Sequence, residues 1–278
     1  MEVKVCNIRD NDFNTKFIGS VLNTGFAVVT HHGIDFDLIK DVQDVWRHFF
    51  NQPPAIKERF ANPNDPNMGY IGFGKEKAVG ATKADLKEWY HWRPGNNLIP
   101  SDAAALTQKL YYLLEAHLAP QLLQALNGLG SDMNYKEVCQ GSNNTLMRSL
   151  YYPALNTLDY EKGAVRSSAH QDINFLTLLV AASAPGLQVL DKNEKWHAVP
   201  FEENCIVVNV GDSLQLASGG MLKSTTHRVT NPANSSSDRI SIPLFVHPHG
   251  DTILAPGVTA QQFLDQRLNE IYVRGKAK

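Results

Sequence analysis

Apolar residues in the first half of the chain recur at three- and four-residue steps. The clearest case runs from Phe36 to Trp46, with Asp35 placed to cap it, and predicts a helix there. Pro53-Pro54 interrupts that pattern before Ala55-Ile56-Lys57 resumes it. A second helix is expected after Pro100, with Ser101 as its cap. It runs through Leu110, Leu113, Leu114 and His117 towards Leu126 and ends near Gly128 and Gly130. Between the two, Asn62 to Asn67 is turn chemistry, and Gly69-Tyr70-Ile71-Gly72-Phe73-Gly74 is too glycine-rich to predict a strand. From about Leu146 the period shortens to β-like runs: Phe175 to Val180, Leu187 to Leu190, Cys205 to Val210, His227 to Thr230 and Ile240 to Val246. Such spacing suggests a sandwich or barrel. Asn234-Ser235-Ser236-Ser237 has the length of a hairpin loop, and Thr259-x-x-Gln262 is a capping box opening a last helix.

No linker divides the pattern. One domain over residues 1–278 is expected: mostly helical over 1–145, β-rich over 146–250, and closed by a helix over 258–274. Its composition, 43% hydrophobic and 19% charged, is that of a globular chain with a sizeable core. The net charge of -2 and the lack of a dense Lys/Arg block argue against nucleic acid as a partner. No stretch has the apolar length of a membrane span. The start, Met1 to Cys6, has no apolar signal core, and Cys6, Cys139 and Cys205 are too far apart for a Cys-x-x-Cys zinc site. A cytoplasmic protein with buried structural thiols is the expectation.

His170-Gln171-Asp172 puts an imidazole and a carboxylate two positions apart. On a strand such residues share a face, so both can aim at one point. With one further histidine they would form the two-His, one-carboxylate set that leaves coordination positions open and suits iron(II) and dioxygen. The pair alone is a weak signal, since His249-Gly250-Asp251 repeats it in a segment whose Pro248 and Gly250 read as a turn. Arg239-Ile240-Ser241 offers a guanidinium and a hydroxyl on one strand face. The ordinary reading of a buried arginine is a salt bridge to a carboxylate of the protein; the alternative is an acidic ligand. Arg166-Ser167-Ser168 has the same form.

Together these segments resemble the isopenicillin N synthase-like family of iron(II)/2-oxoglutarate-dependent oxygenases. The matching stretches are Tyr151-Tyr152-Pro153, Ala169 to Asp172 with Leu176 to Leu179, Gly186 to Val189, Val208 to Asp212, Leu214-Gln215, Lys223 to Val229 and Arg239-Ile240-Ser241, in order and in spacing. Weaker matches are Thr24-Gly25-Phe26, His31 to Ile34 and Asp85 to Glu88. The resemblance implies a mainly β fold with flanking α: a distorted jelly roll (double-stranded β-helix) behind a helical N-terminal region. It implies iron held by His170, Asp172 and His227. Arg239 and Ser241, helped by the Tyr152 hydroxyl, would take the distal carboxylate of 2-oxoglutarate. Dioxygen would be consumed, a small organic substrate oxidised, and succinate and carbon dioxide released. Leu150 and Ala154 depart from plant relatives, which points to a bacterial-type member. The alternatives are a 2-oxoglutarate-independent iron oxidase of the isopenicillin N synthase type and a non-catalytic jelly-roll binding protein. Arg166, Phe175, Tyr70, Trp89 and Tyr90 are candidates for the substrate mouth, with Phe73 and Met221 behind them.

Overall fold

The computed structural model describes residues 1–65, 67–75, 83–180, 182–234 and 236–276, with residues 271–276 described by backbone alone. Among these residues, twelve strands form two sheets. The larger holds β1 (Val5–Asn7), β2 (Phe26–Thr30), β3 (Gly69–Ile71), β4 (Glu88–Trp92), β5 (Leu146–Tyr152), β7 (Leu176–Val180), β10 (Ile206–Val210) and β12 (Arg239–Val246), in the order β1-β2-β10-β7-β12-β5-β4-β3. The smaller holds β6 (Ser167–His170), β8 (Leu187–Leu190), β9 (Trp196–Ala198) and β11 (His227–Val229), in the order β6-β11-β8-β9. A short hairpin, β13 (Ile253–Ala255) and β14 (Val258–Thr259), leads to the last helix. The helices of the described residues are α1 (Phe13–Thr24), α2 (Phe36–Phe50), α3 (Pro54–Lys57), α4 (Ser101–Leu113), α5 (Ala119–Leu126), α6 (Tyr135–Cys139), α7 (Asp212–Ala217) and α8 (Ala260–Lys276).

Strand alternation divides the larger sheet into an apolar face and a chemical face. Along β12, Ile240, Ile242, Leu244 and Val246 enter the main core, while Arg239, Ser241, Pro243 and Phe245 line a cleft on the other side. Along β5, Met147 and Tyr151 enter the core, and Arg148, Leu150 and Tyr152 the cleft. On β7, Leu176, Leu178 and Val180 alternate with Thr177 and Leu179, and on β10 Asn209 faces the cleft between Val208 and Val210. Helices close the apolar face. Leu38, Ile39, Val42, Trp46, Phe49 and Phe50 of α2 share one buried stripe, and Leu110, Leu122, Leu123 and Leu126 add α4 and α5 to it. The smaller sheet covers part of the chemical face, giving the jelly-roll arrangement expected from the sequence.

Several local expectations hold. The Asp35 carboxylate accepts from the Asp37 N–H, and Thr259 and Gln262 form a reciprocal capping box. Others do not. The first 145 residues supply β1 to β4 as well as helices, and Phe26–Thr30, a fully buried apolar run, pairs directly with β10. Trp89 to Trp92, for which the chain pattern predicted no element, lies in strand β4, zipped to β5. Gly69–Ile71 is also a strand, since its partner is long-range and glycine content does not veto it. Pro100, not Ser101, occupies the cap of α4, and no side chain caps it. The helix beyond α4 widens into a π-type turn over Leu114–Leu118, just before Pro120, whose missing N–H cannot continue the regular ladder. Ser235 lies outside the described residues.

Candidate metal centre and ligand cleft

β6 ends at His170, so Asp172 is not on a strand, and face-sharing is not what aims it. The loop after His170 is instead docked on the start of α7. The N–H groups of Asp212 and Ser213 donate to the carbonyls of Asp172 (2.7 Å) and Ile173 (3.0 Å), and that of Gly211 to Phe175 (2.9 Å). Gly211 is required by close approach: a Cβ there would overlap the Asn174 carbonyl oxygen and lie 2.8 Å from its carbon. His227 opens β11, directly opposite His170 on β6 and Val189 on β8.

Three ligand atoms converge where these segments meet. Asp172 Oδ1 lies 3.7 Å from His170 Nε2 and 3.8 Å from His227 Nε2. Among the described residues, this is the one group of three potential metal ligands of its kind. Backbone carbonyls hold the far side of each ring: His170 Nδ1 is 2.8 Å from Ser168 O, and His227 Nδ1 is 3.1 Å from Thr225 O. A carbonyl can only accept, so each Nδ1 carries the proton and each Nε2 turns a lone pair inward. Asp172 Oδ2 takes hydrogen bonds from Thr177 Oγ1 (2.5 Å) and Asn209 Nδ2 (2.8 Å), which leaves Oδ1 for the cluster. Burial, and then the neighbouring His227, push His170 down to about 4, so it is neutral at pH 7. Burial alone would raise the Asp172 carboxyl, but the two histidines and the two hydrogen bonds outweigh it and hold it low. An anionic oxygen and two neutral imidazole nitrogens, in fixed tautomers, fit a divalent transition metal. Thr177 and Asn209 were not singled out as carboxylate partners in the sequence; only their alternation on strands paired to each other could have hinted at it.

The cleft above this cluster has a volume of roughly 500 Å³, its open mouth included. Arg239 lies at its inner wall, 1% exposed. Its Nε donates to the Ala184 carbonyl (3.0 Å) and Nη1 to Ser241 Oγ (3.1 Å), and it packs over the Tyr152 ring at 5.1 Å. No carboxylate of the described residues forms an ion pair with it. Burial lowers its basicity, while Tyr152 works in the opposite direction. A buried guanidinium answered only by neutral acceptors is costly, and an anionic ligand would relieve it.

The remaining mouth candidates divide. Trp89 packs beside Leu150 and Tyr152 next to the cleft. Tyr70, Tyr90 and Phe175 do not reach it: alternation turns Tyr70 and Tyr90 into the helical core and Phe175, just before β7, is buried there as well; Tyr90 packs on Trp46, Phe175 on Tyr135, and Tyr70 donates to a Glu88 paired with Lys57. Arg166 is fully buried but outside the cleft lining, over the Tyr152 ring and bonded to the Ser237 carbonyl. Phe73 and Met221 are exposed and lie outside the cleft lining. In the His-x-Asp repeat, His249 Nε2 is held by the Gln140 carbonyl, away from any cluster.

Comparison with known proteins gives concordant matches. Residues 143–248 match the model of the 2OG-Fe(II) oxygenase superfamily, and residues 9–111 that of the non-haem dioxygenase in morphine synthesis N-terminal region. A flavonol synthase/flavanone 3-hydroxylase from Eustoma exaltatum subsp. russellianum is 30% identical over 272 residues, covering 92% of this chain and 79% of that one. The proline hydroxylase buaE of Petromyces alliaceus is 31% identical over 267 residues, covering 87% and 83%. A bi-functional coumaroyl CoA and feruloyl CoA ortho-hydroxylase from Ipomoea batatas is 31% identical, and there the match spans only 65% of the relative's length. Among solved structures, an oxygenase from Shewanella oneidensis superposes with a TM-score of 0.85 at 36% identity, covering 98% of this chain and 100% of that one. A full-length Neurospora crassa protein, solved in complex with alpha-KG, gives 0.81 at 25% identity, covering 95% and 94%.

Proposed function

The chain belongs to the 2OG-Fe(II) oxygenase superfamily, and from that premise we propose that it is an iron(II)- and 2-oxoglutarate-dependent dioxygenase that hydroxylates a small organic molecule. One observation carries this reading. The inward Nε2 lone pairs of His170 and His227 and the free oxygen of Asp172 open into the same cleft as a buried Arg239 whose protein partners are all neutral. His170, Asp172 and His227 are the iron ligands. Arg239, Ser241 and Tyr152 take the distal carboxylate of 2-oxoglutarate, the guanidinium by its planar fork and the hydroxyls as neutral donors. Iron, when bound, supplies the dioxygen chemistry, in which one oxygen atom enters succinate as carbon dioxide leaves and the other enters a C–H bond of the substrate. The chain's own residues fix the ligand tautomers, keep Asp172 ionised and wall the cleft with Leu150, Leu187, Val229 and Pro243.

The whole chain acts as one oxygenase unit on a small molecule, as its hydroxylase relatives do. Three buried, unpaired cysteines suit a reducing cytoplasm, and a net charge of -2 disfavours nucleic acid. No helix among the described residues is long and apolar enough to cross a membrane. Succinate release from 2-oxoglutarate, measured with and without iron(II), tests the activity. It should require the metal and vanish in Asp172→Ala while the circular dichroism spectrum stays native-like. Equal release without iron, or an Asp172→Ala variant that binds iron and turns over normally, would overturn the assignment.

A further inference from the structure

The cleft contains a second arginine that the roles above leave unused. Arg148 comes from β5, on the same face as Leu150 and Tyr152. Its guanidinium carbon lies 5.4 Å from the centre of the Trp89 ring and 4.9 Å from that of Phe245. Its Nε donates to His91 Nε2, and His91 Nδ1 in turn faces the Asn67 carbonyl. An imidazole that accepts at Nε2 and meets a carbonyl at Nδ1 has its proton on Nδ1, so His91 is a neutral positioning group for the arginine. Two aromatic rings and one hydrogen bond thus fix both the plane and the rotation of the guanidinium. Its terminal nitrogens have no hydrogen-bond acceptor among the described residues.

The other cations of the cleft are accounted for. Lys87 lies 2.9 Å from the Asp85 carboxylate and 3.1 Å from Ser167 Oγ. Arg239 is assigned to the co-substrate. Arg148 alone combines a preset orientation with an unanswered pair of donors. The planar donor edge matches a carboxylate in bidentate fashion, a fit that an ammonium cannot reproduce. The cleft that this edge shares with the metal cluster has apolar wall residues as well, among them Leu150, Leu187, Val229 and Pro243.

We infer that the substrate is a small organic acid, its carboxylate clamped by the terminal nitrogens of Arg148 and its apolar body laid along these walls. This deepens the proposed activity and rests on it for the word substrate, but the binding claim can be tested separately. Titration calorimetry with cyclohexanecarboxylate and 3-phenylpropanoate, each beside its primary amide, would be run on the metal-free protein and on the anaerobic protein holding iron(II) and 2-oxoglutarate. At least one acid should bind about ten- to a hundredfold more tightly than its amide, the range expected for a charge-assisted pair set against a neutral one. Arg148→Met should erase that preference by weakening the acid alone, and Arg148→Lys should fall between the two. The inference is overturned if no acid binds, if amides bind as well as acids, or if Arg148→Met keeps the preference. Should Arg148→Met fail to fold, wild-type acid affinity in Arg148→Lys would overturn it equally. Absence of iron-dependent succinate release would defeat the proposed activity, yet leave the acid-over-amide preference measurable in the metal-free protein.

Discussion

Asp172 is buried among groups that each use one part of it. Thr177 and Asn209 bind one oxygen, Asp212 binds the backbone carbonyl, and the two histidines face the other oxygen. Arg239 is the opposite case, a buried charge whose hydrogen-bond partners are all neutral. This contrast makes Arg239→Lys informative. Lysine keeps the charge but loses the fork, and losing one charge-assisted bond costs about 1.5–3 kcal/mol. The half-saturation for 2-oxoglutarate in uncoupled succinate formation should rise about ten- to a hundredfold, with anaerobic iron titration unchanged. An unaltered half-saturation would reduce Arg239 to a structural residue. At this scale the sequence was legible in the placement of residues at a fixed spacing: His170, Asp172 and His227 meet in one cluster, and Arg239 and Ser241 line the cleft beside it. It was not legible for residues such as Thr177, Asn209, Arg148 and His91, common types whose importance depends on which strands pair.

At the scale of elements, the metal loop and α7 form one device. Three successive N–H groups at the β10–α7 junction receive three carbonyls of the loop that carries Asp172, and Gly211 permits the approach. Its backbone has φ −103°, which any residue can adopt, so the need for glycine is purely steric. Gly211→Ala should therefore cost about 1–3 kcal/mol by overpacking, because the obstructing atoms are backbone and cannot rotate away. It should also weaken iron binding, since the loop can yield only by moving Asp172. Gly19→Ala is the control: a Cβ there meets nothing within 4 Å, and alanine favours the helix it sits in. Urea denaturation with anaerobic iron titration on both variants would decide it; equal stability and equal iron affinity in Gly211→Ala would show that the junction is slack. Strands with a buried alternating pattern, such as β7, β10 and β12, were readable along the chain. β4 was not, because Trp89-Tyr90-His91-Trp92 lacks an apolar–polar alternation: one face packs Tyr90 and Trp92 into the core, the other packs Trp89 and His91 around Arg148.

Over the whole molecule, the two halves of the chain are interleaved rather than appended. β2 lies against β10, Phe26 meets His227 edge-on at 5.4 Å, and Arg267 of α8 binds Asp212 at 2.7 Å, so both ends of the chain brace the metal region. The helical character read in residues 1–145 was therefore only half of their role; long-range pairing recruits their short apolar runs into the sheet, and that is invisible to local periodicity. Histidines that the fold keeps neutral, His247 buried and His170 part-exposed at the cleft, also link global stability to pH. Burial pushes both His170 and His247 down to about 4, and lowers His32 in the same direction. The unfolded chain binds those protons near pH 6.5, the folded one only near 4. Between these values the unfolded state carries more protons, so stability is intact above about 6.5 and is lost as pH falls towards 4, by at most about 1.4 kcal/mol per pH unit for the buried His247 and by less for His170, whose side chain is part-exposed at the cleft. Asp172, held below its ordinary value, contributes with the same sign but only at lower pH, as its own carboxyl is protonated. His247→Leu should flatten the decline between pH 6.5 and 4 in the metal-free protein without removing it, since His170 and His32 remain. Denaturation midpoints measured across that window in wild type and variant check this. Parallel curves would mean that His247 is protonated without unfolding, through a path for water that its 8% exposure does not suggest.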